Sequence, residues 1–321
     1  MIHHYGKRRN VILRPAINPI SSKYGVSFSL KQCRNFNINT GETLQWLLAD
    51  AGFRRFRLMS YWDEHERMQG TLDFSTLDEQ ISMIEQQSKT TGEPIEISLC
   101  LGVRQPRWPE NHWPDWAWKL PPAERSATLM TYLETVVTRY KNTSSIVSWQ
   151  LENEALLASF GERVDVDRVR LRAEYTLVKK LDNTRPIIMS TSASWGIPLR
   201  APIPDIIGFS YYFTQHRAGH YHHTLMYPWY HRVRKLLIRA LHNRPVFIHE
   251  LQLEPWGPRA IWEMDSATQD QSMDTAAIAR NLRHARAIQA PPIDLWGAEW
   301  WYWRHLNGDD SIWAAVRAGL S

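Results

Sequence analysis

Two short apolar runs of the 321-residue chain end in carboxylates: "SIVSWQLENE" closes on Asn153-Glu154 and "RPVFIHEL" on Glu250. A pair of carboxyl groups facing each other across a cleft can break a glycosidic bond. One, protonated, gives its proton to the leaving oxygen; the other, ionised, attacks or stabilises the anomeric carbon. Taken singly, an acid at a strand end is more often a helix cap or half of an ion pair. The joint placement favours catalysis, with Asn153 beside one acid and Arg57 ("RFRLMSYW") and a tyrosine of "DIIGFSYYF" available to the other. Glu152, Glu254 and Glu299 are the near alternatives: Glu152 reads as a rim ion pair, Glu254 as a loop residue before Pro255, and Glu299 as a sugar contact or a structural pair. Arg54 and Arg55 read by default as a solvated basic end, and alternation along the second run can direct Arg57 inward.

The elements that must hold these groups alternate short apolar runs with amphipathic helical patterns, the signature of βα units around a parallel sheet. Eight strand-like runs are present, at 23–30, 53–62, 95–102, 145–153, 185–193, 205–213, 244–251 and 294–303. Helical patterns cover 40–51, 75–89, 122–140, 166–181, 227–242, 272–289 and 311–318, while "WGIPLRAPIP" carries too much proline for a helix. Eight strands and seven helices predict a single (β/α)8 barrel over 23–321, preceded by an N-terminal extension at 1–22, with its site at the C-terminal strand ends. Strands four and seven lie across such a barrel, so Glu154 and Glu250 can meet over its mouth. No glycine-rich phosphate loop follows the first strand, which weighs against an open dinucleotide-binding sheet.

At this point the chain resembles a known group. "WQLENE" on strand four, "FIHE" on strand seven and "DIIGFSYYF" on strand six look like the clan of retaining glycoside hydrolases with a (β/α)8 barrel, including cellulase-like and β-galactosidase-like families. The "GTLDF" of "YWDEHERMQGTLDFSTLDEQI" is also similar to clan members. The resemblance implies that Glu154 is the general acid/base, Asn153 binds the sugar 2-hydroxyl and Glu250 is the nucleophile. Arg57 and a strand-six tyrosine would assist Glu250, Tyr212 matching better than Tyr211. Trp300 or Trp301 would form the floor under the sugar. Glu154 must then keep its proton near neutral pH and Glu250 its charge, which a nearby guanidinium favours. On strand three "GVRQPRWPE" lacks the histidine that the resemblance leads one to expect, which leaves the family within the clan open. A barrel that binds carbohydrate without turnover, or a transglycosylase using the same two glutamates, is the alternative.

Composition agrees with a sugar ligand. The chain has 16 tryptophans, whose flat faces stack on pyranose rings and whose N–H can serve a hydroxyl. Trp62, Trp108, Trp113, Trp116, Trp118, Trp195, Trp256, Trp300, Trp301 and Trp303 follow strand ends, with Trp62, Trp108 and Trp256 the further candidates for the site. The formal charge of +5 is spread among 33 acids, so no nucleic-acid partner is expected. His216, His220, His222 and His223 in "HRAGHYHH" lack cysteine or acidic partners at ligand spacing, and no metal or cofactor is expected. Ser190, Ser192 and Ser194 lie in no nucleophile elbow. Two cysteines exclude a disulfide framework, and no run reaches the length of a membrane span, so a soluble protein is expected with its compartment undecided.

Overall fold

The computed structural model describes residues 23–192 and 196–320. The N-terminal extension at 1–22, Ser194 and Trp195 lie outside the described residues.

Eight parallel strands close into a barrel: β1 (Tyr24–Ser27), β2 (Arg55–Met59), β3 (Glu96–Leu101), β4 (Ile146–Leu151), β5 (Ile187–Thr191), β6 (Ile206–Tyr211), β9 (Val246–Gln252) and β10 (Ile293–Trp296). Between β6 and β9, an antiparallel hairpin of β7 (Thr214–Arg217) and β8 (His220–His223) stands apart and carries the four histidines of "HRAGHYHH". Each strand is an apolar run because both its faces are covered, by the barrel interior and by the helical layer. The principal outer helices span Ser75–Thr91, Pro122–Tyr140, Arg168–Leu181, Pro228–His242 and Thr275–Ile288. No helix among the described residues is long and apolar enough to cross a membrane.

The barrel agrees with the sequence reading except at its eighth strand. β10 stops at Trp296, and Ala298–Leu306 is a helix. Gly297 makes the break: its φ is +131°, and a Cβ there would meet the Leu253 carbonyl at 2.7 Å. Only glycine turns the chain there without strain, and the following "AEWWYW" becomes a helix whose first tryptophans face the core.

The barrel interior is polar where apolar packing is usual. Arg55 donates to Asp294 and Glu96 at the lower end of β2, and is not the solvated residue expected. His249 bridges Asp294 (2.7 Å) and Gln150 (2.8 Å). Gln150 in turn accepts from Arg57. Burial, then the Arg57 charge, push the His249 pKa down to about 4.

Candidate active site

Glu250 enters the barrel through a bulge. β6 pairs Phe209 with Ile248 but Ser210 with Glu250, so β9 carries one extra residue, His249, opposite β6. An extra residue bends a strand and re-aims its side chains; here His249 and Glu250, adjacent in sequence, both point inward. Arg57 Nη1 donates to Glu250 Oε1 at 2.8 Å. Tyr212 Oη donates to Oε2 at 3.0 Å, and Ser210 Oγ reaches the same oxygen at 3.4 Å. Burial and the Glu250 and Glu254 carboxylates hold the Tyr212 phenol well above its ordinary range, so it remains a donor.

Glu154 is set by an irregular end to β4. Glu152 and Glu154 both have left-handed backbone, φ +51° and +48°, a conformation that costs such residues about 1–3 kcal/mol and persists only when surroundings enforce it. The enforcement is visible. Glu152 folds back beneath the β3 loop and accepts from the Val103 and Arg104 amides. Gly102, at φ +95°, leaves room for it: a Cβ there would lie 2.4 Å from Glu152 Oε1. The Glu154 amide donates to Ser190 Oγ (2.9 Å), and its carboxylate accepts from Ser210 Oγ (2.8 Å). Burial, then the Glu250 charge, push its pKa up to about 7.

Between the two acids, Asn153 Oδ1 accepts from Arg57 Nη2 (2.9 Å), Ser190 Oγ (2.8 Å) and Gln150 Nε2 (3.3 Å). Because arginine only donates, this fixes the amide orientation and leaves the Asn153 NH2 to donate into the cleft. There it meets Glu110, an acid from the β3 loop that the sequence reading missed. Glu110 is buried, its backbone is left-handed (φ +69°), and burial followed by the Glu250 charge raises its carboxyl to about 8. The cleft has a volume of about 460 Å³, and Glu110, Asn153, Glu154, Ser210, Tyr212 and Glu250 form its polar floor.

The aromatic candidates divide. Trp256 lines the cleft, edge-on to Tyr212 with ring centres 5.6 Å apart. From it an aromatic wall runs through Phe160 (6.2 Å) to the half-exposed Trp108 (5.9 Å from Phe160). Trp300 and Trp301 do not form the floor. Both are fully buried in the helix after β10, bonded to Gln269 and to the Leu253 carbonyl. Their place is taken by Trp296 at the end of β10, which lines the cleft with Arg107 stacked 3.9 Å from its ring. Trp62 is likewise fully buried, packed on Trp113, Trp116 and Tyr132. Tyr211 points away from the cleft into the helical layer, bonded to His284. Each of these corrections follows from a shift of one face or one element at a strand end. Glu299 is a structural pair, with Arg107 and the Ser29 amide. Glu254 also binds Arg107 but lines the cleft.

Comparison with known proteins bears on the barrel. Residues 110–251 match the model of the glycosyl hydrolases family 2 TIM-barrel domain, a span that contains both Glu154 and Glu250. No curated protein matches the chain. Among solved structures, the native xylanase10C of Cellvibrio japonicus superposes with a TM-score of 0.60 at 14% identity, over 95% of this chain and 70% of that one. A β-galactosidase of the haloarchaeon Halorubrum lacusprofundi matches with a TM-score of 0.55 at 14% identity, over 85% of this chain and 52% of its own. The GH5_18 protein of Streptomyces cattleya, solved with GlcNAc, matches with a TM-score of 0.57 at 13% identity, over 87% and 71%. The chain thus spans about half the length of the β-galactosidases it matches. At these identities the structural matches bear on the fold, a (β/α)8 barrel. The family-model match, over less than half of the chain, is a similarity to a glycosyl hydrolase barrel domain and leaves the family unresolved.

Proposed function

We propose that the chain is a retaining β-glycoside hydrolase acting on an oligo- or polysaccharide, with Glu250 as nucleophile and Glu154 as general acid/base. The observation that carries the reading is the Ser210 hydroxyl shared by the two carboxyls. It lies 2.8 Å from Glu154 Oε1 and 3.4 Å from Glu250 Oε2, so these two oxygens stand at most about 6.2 Å apart, a limit that admits the roughly 5–5.5 Å between the carboxyls of a retaining pair.

In this mechanism Glu250 attacks the anomeric carbon while Glu154 passes its proton to the departing oxygen. The bond between sugar and leaving group breaks as the bond to Glu250 forms. Water then attacks the glycosyl-enzyme, Glu154 takes the water's proton, and Glu250 leaves with its electron pair. A carboxyl held near 7 beside a second acid suits Glu154 to both steps. Asn153, with its oxygen occupied, offers its NH2 to the sugar 2-hydroxyl; Trp296 and Trp256 offer faces to the ring.

Reducing-end release from β-linked glucans, mannans, xylans and galactans tests the reading. Release by wild type that Glu154→Ala and Glu250→Ala each abolish is expected. Silence across the panel with binding still seen by calorimetry would favour a barrel that binds sugar without turnover.

A further inference from the structure

Between Asp205 and Glu250 the chain contains no acidic residue, but six arginines and lysines. The helix Pro228–His242 lies in this stretch and presents two faces. His231, Arg234 and Ile238 are buried against the barrel. On the outside, Trp229 (65% exposed), Val233, Leu236 (61%) and Leu237 form a stripe at helical spacing, continued before the helix by Leu225. Arg232, Lys235 and Arg239 flank the stripe at helical spacing, and Lys235 donates to the Gln289 carbonyl just after the neighbouring helix Thr275–Ile288, itself without an acid. Among the described residues none of these three cations pairs with a carboxylate. Burial and the charges of Arg239 and Arg232 push the Lys235 ammonium below its ordinary value, as expected of cations crowded without a counter-charge.

Exposed tryptophan and leucine beside uncompensated cations are the features of a helix that lies in a membrane interface, its rings and aliphatic chains among the acyl chains and its cations on the phosphates. A soluble polyanion would satisfy the cations and leave the stripe in water. We propose that the Pro228–His242 face docks the protein on an anionic lipid bilayer, with Trp229, Val233, Leu236 and Leu237 inserted and Arg232, Lys235 and Arg239 on the headgroups.

Co-sedimentation of the full chain with phosphatidylcholine vesicles, with and without phosphatidylglycerol, tests this. Binding is expected only with the anionic lipid, weakening as salt rises. Trp229→Ser with Leu236→Ser, and separately Arg232→Glu with Arg239→Glu, should each weaken it roughly tenfold or more. All four positions are exposed, and unchanged melting temperatures would show that the variants fold. Absence of binding, equal binding to both vesicles, or binding insensitive to these changes would overturn the proposal. So would loss of binding only on reversing Lys7, Arg8 and Arg9, which would assign the contact to the first residues of the chain. A lipid-free dimer that Trp229→Ser/Leu236→Ser dissociates would assign the face to a second copy.

Discussion

Glu154 holds its proton to about pH 7 because burial and the neighbouring Glu250 charge both disfavour ionisation. In the proposed mechanism kcat/KM therefore falls as pH rises through about 7, and in Glu154→Ala that alkaline limb disappears from any residual turnover of aryl glycosides with good leaving groups. A limb unmoved by the substitution would contradict the assignment. The same shift affects stability. A carboxyl whose folded pKa is raised contributes fully below its unfolded value of about 4.3, and that contribution is lost as pH climbs through the folded value. Glu154→Gln should thus gain on wild type between pH 5 and pH 8, on the order of 1–2 kcal/mol since the side chain is partly exposed to the cleft; thermal melts at the two pH values check it. Glu110, raised to about 8, is a neutral donor at pH 6.5. Glu110→Gln should keep KM near wild type there, whereas Glu110→Ala should raise it about tenfold, the loss of one hydrogen bond. Glu110 was not legible from the sequence: it lies in a loop of prolines and tryptophans, and only its left-handed backbone and the Asn153 amide bring it to the cleft.

At the scale of elements, the site depends on two departures from regular strand geometry. The alternation of β2 predicted an inward Arg57, and Tyr212 was the better of two tyrosines by resemblance. The bulge that aims Glu250 has no sequence signal, because an inserted residue in an apolar run looks like any other. The end of β4 has one in retrospect: Gly102 sits where the Glu152 side chain must pass. Gly102→Ala should cost about 1–3 kcal/mol and lower activity together, since it strains the backbone and displaces the residue that sets Glu154; denaturant unfolding and turnover measured on one preparation test the pairing. The eighth strand misled through "DLWGAEWWYW", which is apolar apart from Asp294 and Glu299. Gly297 divides it, and Trp296 and Trp300 then face different parts of the molecule.

Across the whole molecule, the barrel order was legible because βα alternation is a long-range pattern that survives errors at single boundaries. The tryptophan count was a weaker guide. It pointed to sugar, yet Trp62, Trp300 and Trp301 are core, and among the described residues only Trp256, Trp296 and the rim ring Trp108 stand at or beside the cleft. Truncation separates the two groups. Trp62→Ala or Trp300→Ala should cost about 3–5 kcal/mol in unfolding free energy, whereas Trp256→Ala should leave melting nearly unchanged and raise KM.

The most direct test of the central claim is capture of the glycosyl-enzyme. Incubation with activated 2-deoxy-2-fluoro-β-glycosides of the gluco, galacto, manno and xylo series, followed by peptide mass spectrometry, should find one sugar on the peptide that carries Glu250 and none in Glu250→Gln. A label on another carboxylate, or product released with inverted anomeric configuration, would contradict the account.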